Sequence, residues 1–291
     1  MKVIAGVDGS KYARWAIEWI AQFPFASAPQ LMVLHVVDID ALHAPFMAQR
    51  IAIGNRHFLQ TEIRRLEVSG RQVAAETKTL LTSLGLKAQV VIERGAIASS
   101  ILREAKGRDD MVVIGSRGLD SFDRFMLGSV STKVVLNASC SALVVKVAPR
   151  PLRRVVLGVD GSKSSENALQ FLLRKMRSAR INPDKGEKKK GQAILVTVVH
   201  VMPSPRYSEV KETGNALVHS CANRLAVAGY EVEEALRFGK PAYEILDLAR
   251  RHKADLIVAG AKGLGAIARF LIGSVSTKLM QHSSCSVLLV R

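Results

Sequence analysis

The chain has 291 residues, 48% of them hydrophobic and 23% charged, a composition that excludes a disordered tail or a collagen-like chain and fits two domains of roughly 100–200 residues each. Lys plus Arg number 42 against 25 Asp plus Glu, a net charge of +17, and no apolar run reaches the roughly 18 residues that span a bilayer. The N-terminal stretch puts Asp8 where a secretion signal would need apolar residues, and the odd set Cys140, Cys221 and Cys285 forms no disulfide framework, so a reducing, cytoplasmic location is expected and no membrane partner.

The β-branched run over residues 2–7 predicts a strand, and Ser10 is placed to cap a helical pattern over 11–21. A second apolar run follows over 31–37, then a long helical pattern over about 56–84 and a third strand over 88–92. Residues 99–106 read as a helix, 111–114 as a fourth strand, 129–136 as a helix and 142–147 as a fifth strand. The same order returns with strands over 154–159, 194–201, 231–236, 256–259 and 287–290. Uninterrupted apolar strands such as Met111-Val112-Val113-Ile114 suit a parallel sheet covered on both faces. The expected fold is therefore α/β: two tandem doubly wound, Rossmann-like domains, 1–150 and 151–291, each with a five-stranded parallel sheet flanked by helices.

Internal repetition supports the duplication. Gly6-Val7-Asp8-Gly9-Ser10-Lys11 recurs 152 residues later as Gly158-Val159-Asp160-Gly161-Ser162-Lys163. Gly115-Ser116-Arg117-Gly118 recurs 145 residues later as Gly260-Ala261-Lys262-Gly263, and Gly128-Ser129-Val130-Ser131 as Gly273-Ser274-Val275-Ser276. The drift in offset locates insertions: 13 extra residues in the second copy, around Lys185, Lys188, Lys189 and Lys190, and 21 extra in the first, around Asp38 to Arg56.

In a doubly wound sheet, ligands sit beyond the carboxyl ends of the strands where strand order reverses. Asp8 and Asp160, Val36 and Val201, and the doubled glycine pattern all fall there. Gly115 and Gly118 read as positions that let backbone come close to a ligand and that allow positive φ. Gly128-Ser129 and Gly273-Ser274 open helices whose unpaired N–H groups attract an anion, with Ser129, Ser131 and Thr132 as added hydroxyl donors. The strand-end carboxylates are placed to accept from a ribose hydroxyl or an adenine amine. No G-x-x-x-x-G-K-[ST] sequence occurs, so this is no P-loop.

With V-D-G-S ending strand one twice, H-V after strand two, and the doubled run from Asp110 or Asp255 through G-x-x-G to G-S-V-S, the chain resembles a tandem member of the universal stress protein family, in its ATP-binding branch. The resemblance covers almost the whole chain. It implies that Val7, Asp8 and Val36 face adenine or ribose, and that Ile114, Gly115, Arg117, Gly118, Gly128, Ser129, Val130 and Ser131 line the sugar and phosphate end. In the second copy the matching positions are Val159, Asp160, Val201, Ala259, Gly260, Lys262, Gly263, Gly273, Ser274, Val275 and Ser276. The implied ligand is ATP, its phosphates within reach of Arg117 or Lys262, with a divalent cation such as Mg placed to bridge the phosphates. The resemblance also implies pairing through the fifth strands: their apolar edges invite partners, and the tethered sister copy is the nearest one, giving an intrachain pseudo-dimer open to further dimerisation.

Asp120 and Asp123 become Gly265 and Ala268 in the second copy, so no carboxylate is placed in both halves to orient a water, and weak or absent ATPase activity is expected. Cys140 and Cys285 read as small buried apolar residues, His35 and His200 as satisfied strand-end side chains, and Trp15 and Trp19 as core or inter-copy packing. The net charge is +6 in the first copy and +11 in the second, where Arg174, Lys175, Arg177 and Arg180 lead into the lysine run ending at Lys190. Beside a nucleotide-binding stress regulator stand two alternatives: a basic scaffold using residues 174–190 for nucleic acid or an acidic protein with the pockets empty, and a slow ATP hydrolase.

Overall fold

The computed structural model describes residues 1–39, 56–118, 127–178, 193–203, 208–263 and 272–291. The run 185–190 and the residues Asp120, Asp123, Gly265 and Ala268 lie outside these. In the first half β1 (Lys2–Val7), β2 (Gln30–Val37), β3 (Ala88–Arg94), β4 (Met111–Gly115) and β5 (Ser141–Val145) alternate with α1 (Lys11–Gln22), α2 (Arg56–Ser83), α3 (Ile97–Glu104) and α4 (Ser129–Asn137). In the second half β6 (Arg154–Gly158), β7 (Leu195–Met202), β8 (Glu231–Phe238), β9 (Leu256–Gly260) and β10 (Ser286–Val290) alternate with α5 (Lys163–Lys175), α6 (Ser208–Val227), α7 (Pro241–Arg251) and α8 (Ser274–His282). None of the described helices is long and apolar enough to cross a membrane.

The Asp-Gly-Ser turn after each first strand has a local cause. Asp8 Oδ1 accepts from the Ser10 N–H at 2.9 Å, and Asp160 Oδ1 accepts from the Ser162 N–H at the same distance. Gly9 (φ +82°) and Gly161 (φ +77°) take the left-handed conformation between them. Ser10 Oγ then caps α1 through the Ala13 N–H, and Ser162 Oγ caps α5 through the Ser165 N–H. The sequence thus turns the chain sharply from strand to helix while holding a carboxylate at the strand end.

The strands form one ten-stranded sheet in the order β3-β2-β1-β4-β5-β10-β9-β6-β7-β8. Within each half every pairing is parallel; the halves meet where β10 pairs antiparallel with β5, Val287 opposite Val144 and Leu288 opposite Leu143. All five residues of each junction strand are buried. One apolar cluster joins the sheet to α1, α2, α5 and α6; the other joins it to α3, α4, α7 and α8, and both run through β5 and β10. Burying that much contiguous apolar surface ties the two halves into a shared core.

Reciprocal contacts repeat the two-fold relation. Lys146, just after β5, donates to the carbonyls of Met280, Gln281 and Ser283 at the end of α8, while Arg291, just after β10, donates to those of Val135 and Leu136 near the end of α4. Each cation satisfies the other half's helix C-terminus, where carbonyls lack partners and the dipole is negative. A second bridge joins the loops after α1 and α5, Phe25 opposite Met176, with Ala26 N–H donating to Lys175 O.

Candidate functional site

In the second half the chain runs β6, β7, β8 to one side and then returns through β9 to the other, so strand order reverses between β6 and β9. A cavity of about 360 Å³ opens there. Its floor and walls come from Gly158 of β6 with Val159 and Asp160 after it, Val199 and Val201 of β7, and Ala259 and Gly260 of β9. Ser165 of α5, Pro241 and Ile245 of α7, Lys262 and Gly263, and Ser274, Val275 and Ser276 of α8 complete it. Of the eleven residues expected in this half, ten line the cavity; Gly273 does not.

The cavity has two chemical ends. Val159, Val199, Val201, Ile245 and Ala259 make an apolar slot suited to a planar ring. The start of α8 forms another part of the wall, with no acidic residue in its first turn and, among the described residues, no side-chain bond capping it, so its leading N–H groups and dipole favour an anion. Asp160 stands at the end of β6: Oδ1 is held by Ser162, while Oδ2 turns toward Gly263, 3.1 Å from the point a Cβ there would occupy. Asp160 is the one carboxylate among the lining residues.

The structure corrects the expected roles of several residues. The glycines at 115, 118, 128, 260, 263 and 273 do not adopt positive φ. Gly115 and Gly260 are required by packing: a Cβ at Gly260 would lie 2.5 Å from the backbone carbon of Ser164 on α5, and one at Gly115 2.7 Å from Tyr12 Cβ on α1. Close approach of helix to strand by itself excludes a side chain there. Gly128 and Gly273 close the loop, donating their N–H groups to Ser116 O (2.8 Å) and Ala261 O (2.9 Å). Ser131 and Ser276 are buried and donate their hydroxyls to Gly115 O and Gly260 O, both at 2.7 Å, so neither hydroxyl is a phosphate donor. Ser129 and Ser274, by contrast, are exposed at the helix starts.

In the first half the same strand ends gather Asp8, Gly115, Arg117, Gly118, Gly128, Ser129, Val130 and Ser131. Asp8 Oδ2 comes within 2.6 Å of where a Gly118 Cβ would sit, and Arg117 donates to Tyr12 Oη at 2.8 Å. Val36 and Ile114 are buried in the core cluster, and Val7 lines a separate cavity between α1 and α2. Sequence reasoning missed Gly158, Ser165, Val199, Pro241 and Ile245. Pro241, at the first turn of α7, carried a signal as a helix-opening proline.

Other candidates resolve as structural. His35 and His200 bond the carbonyls of Val7 (2.9 Å) and Val159 (2.8 Å), as satisfied strand-end side chains. Gly70 and Gly214 let α2 and α6 pass directly over those rings. Trp19 is 2% exposed and donates to Val147 O at 3.3 Å. All three cysteines are buried, and burial holds their thiols protonated, Cys140 up to about 11, which disfavours thiolate chemistry. Among the described residues no cluster of His, Cys, Asp and Glu could hold a metal ion.

A family model described as the universal stress protein family matches residues 1–146 and again 151–291. A universal stress protein of Mycolicibacterium smegmatis is 27% identical over 304 residues, covering 99% of this chain and 96% of that protein. One from Synechocystis is 23% identical over 302 residues and covers 99% of both. The crystal structure of a universal stress protein from Archaeoglobus fulgidus superposes with a TM-score of 0.69 at 18% identity, covering 100% of this chain and 98% of that one, a likeness of fold.

Proposed function

The chain belongs to the universal stress protein family, and on that premise we propose that it binds an adenine nucleotide, ATP, at the strand ends and acts as a stress-response regulator rather than a hydrolase. The cavity at the β6/β9 reversal carries this reading, because one hollow joins an apolar ring slot, a strand-end carboxylate and an unblocked helix N-terminus. Val159, Val201 and Ala259 would hold adenine and Asp160 the ribose or the adenine amine. The Lys262 side chain and the α8 N–H groups would take the phosphates, with a divalent cation bridging them in solution. Asp120 and Asp123 have no acidic counterparts in the second copy, so the two halves share no loop carboxylate to orient an attacking water.

The test is direct. Purified protein is heat-denatured and its supernatant chromatographed, and ligand-free protein is titrated with ATP by calorimetry. Released adenine nucleotide, or saturable ATP binding, supports the reading; neither one would remove it. The net charge of +17 favours a second reading, a polyanion-binding scaffold. It predicts heparin retention that falls steeply with salt and weakens when Lys188, Lys189 and Lys190 are neutralised.

A further inference from the structure

We propose that the two halves have diverged in the site itself: the second half takes one nucleotide per chain, and the first half's cleft is closed by its own side chains. The proposal rests on the nucleotide reading above and adds its stoichiometry and the residues that set it.

The register makes the comparison position by position. Gly6 pairs with Leu34 as Gly158 pairs with Val199, and Ile114 pairs with Val144 as Ala259 pairs with Leu289. Gly158, Val199 and Ala259 line the second-half cavity. Above Gly158, a Cβ would meet one heavy atom within 4 Å among the described residues, Ile245 Cδ1 at 3.3 Å. Above Gly6 the same point has Ile101 Cδ1 at 2.8 Å and Ile114 Cγ2 at 3.6 Å. Replacing Ala259 by its counterpart Ile114 adds three carbons to the slot, and replacing Val199 by Leu34 adds another. Both sets of residues are buried in one apolar cluster, so what separates the halves is the size of the side chains at these positions. The added carbons and the closer Ile101 leave less room above Gly6 than above Gly158, and a close-packed core does not open for a ligand without losing those contacts.

The polar end differs in the same sense. Asp8 Oδ2 stands half an ångström nearer its glycine than Asp160 Oδ2 does, narrowing the mouth. Arg117, the counterpart of Lys262, lies over the Tyr12 ring at 5.5 Å and bonds its hydroxyl, whereas α5 carries Ser164 at the position of Tyr12. The first half nevertheless keeps the glycine pattern, because Gly115 must clear Tyr12 and Ser131 must staple α4 to β4 whether or not a nucleotide is present.

Calorimetric titration of the full-length, ligand-free chain with ATP should give one site per chain. Ala259→Ile should weaken binding at least tenfold, and the double variant Leu34→Val/Ile114→Ala should gain a second site. Two sites in the wild-type chain would overturn the asymmetry while leaving the nucleotide reading intact; no site at all would overturn both. Failure of the double variant to gain a site would overturn the assignment of the closure to these side chains. Should Ala259→Ile not fold, photolabelling of the wild-type chain with 8-azido-ATP decides independently. Label confined to residues 151–291 supports the proposal, and ATP-competable label within 1–150 overturns it.

Discussion

Leu288→Ala tests whether the two halves are one cooperative body. Leu288 of β10 lies directly opposite Leu143 of β5, each is 0% exposed, and both belong to one core cluster. Truncation removes three carbons from a site water does not reach, and such changes cost about 2–5 kcal/mol through lost transfer free energy and the cavity left behind. The upper part of that range applies, because β10 is hydrogen-bonded to a neighbour on either side and cannot collapse freely into the gap. At about 2 °C per kcal/mol for a large chain, Tm should fall by roughly 6–10 °C. Both tryptophans, Trp15 and Trp19, lie on α1, so their fluorescence reports the first half while the substitution is in the second. With a shared core, urea midpoints by tryptophan fluorescence and by far-ultraviolet circular dichroism should fall together. A cycle with Leu143→Ala should also show a coupling of about 0.5–3 kcal/mol, as for residues in contact. An unchanged fluorescence midpoint beside a two-step dichroism curve would refute the shared core.

Three further outcomes follow from particular contacts. Gly260→Ala forces a methyl onto the Ser164 backbone and should cost about 1–3 kcal/mol or more by urea unfolding, whereas Gly263→Ala meets, among the described residues, only the Asp160 carboxylate and should cost less than about 1 kcal/mol. Ser162→Ala removes the α5 cap and should cost about 1 kcal/mol, read from the same denaturation curves. Burial brings the Lys146 amine from its ordinary 10.5 down to about 8. Above pH 8 the folded chain therefore sheds a proton that the unfolded chain keeps until near pH 10.5. The unfolded state binds more protons in that window, so stability rises with pH across it and this group adds no pH dependence below it. The unfolding free energy of the wild type minus that of Lys146→Met should rise between pH 8 and 10.5, by at most about 3 kcal/mol since three carbonyls favour the charged amine. A flat difference would show that burial does not move this amine.

The sequence by itself determined the α/β class, the duplication and the strand positions, because β-branched runs, capped helical patterns and Asp-Gly-Ser turns are decided by neighbours along the chain. Residues 2–7, 111–115 and 256–260 form strands almost to the residue expected. The doubly wound order it implies pointed to the strand ends for a ligand, and ten of the eleven second-half positions that the family resemblance implied line one hollow. Only tertiary structure decided what each residue does there. Nothing in the order of residues shows that the glycines at 115 and 260 admit a helix, and only the closeness of Tyr12 and Ser164 reveals it. Likewise Ser131 and Ser276 look like phosphate donors until Gly115 O and Gly260 O are found at their hydroxyls. The difference between Ile114 and Ala259 is two apolar residues in matching strands on paper. In space it fills or empties a slot, because volume at a point depends on side chains arriving from separate strands and helices, which chain order does not bring together.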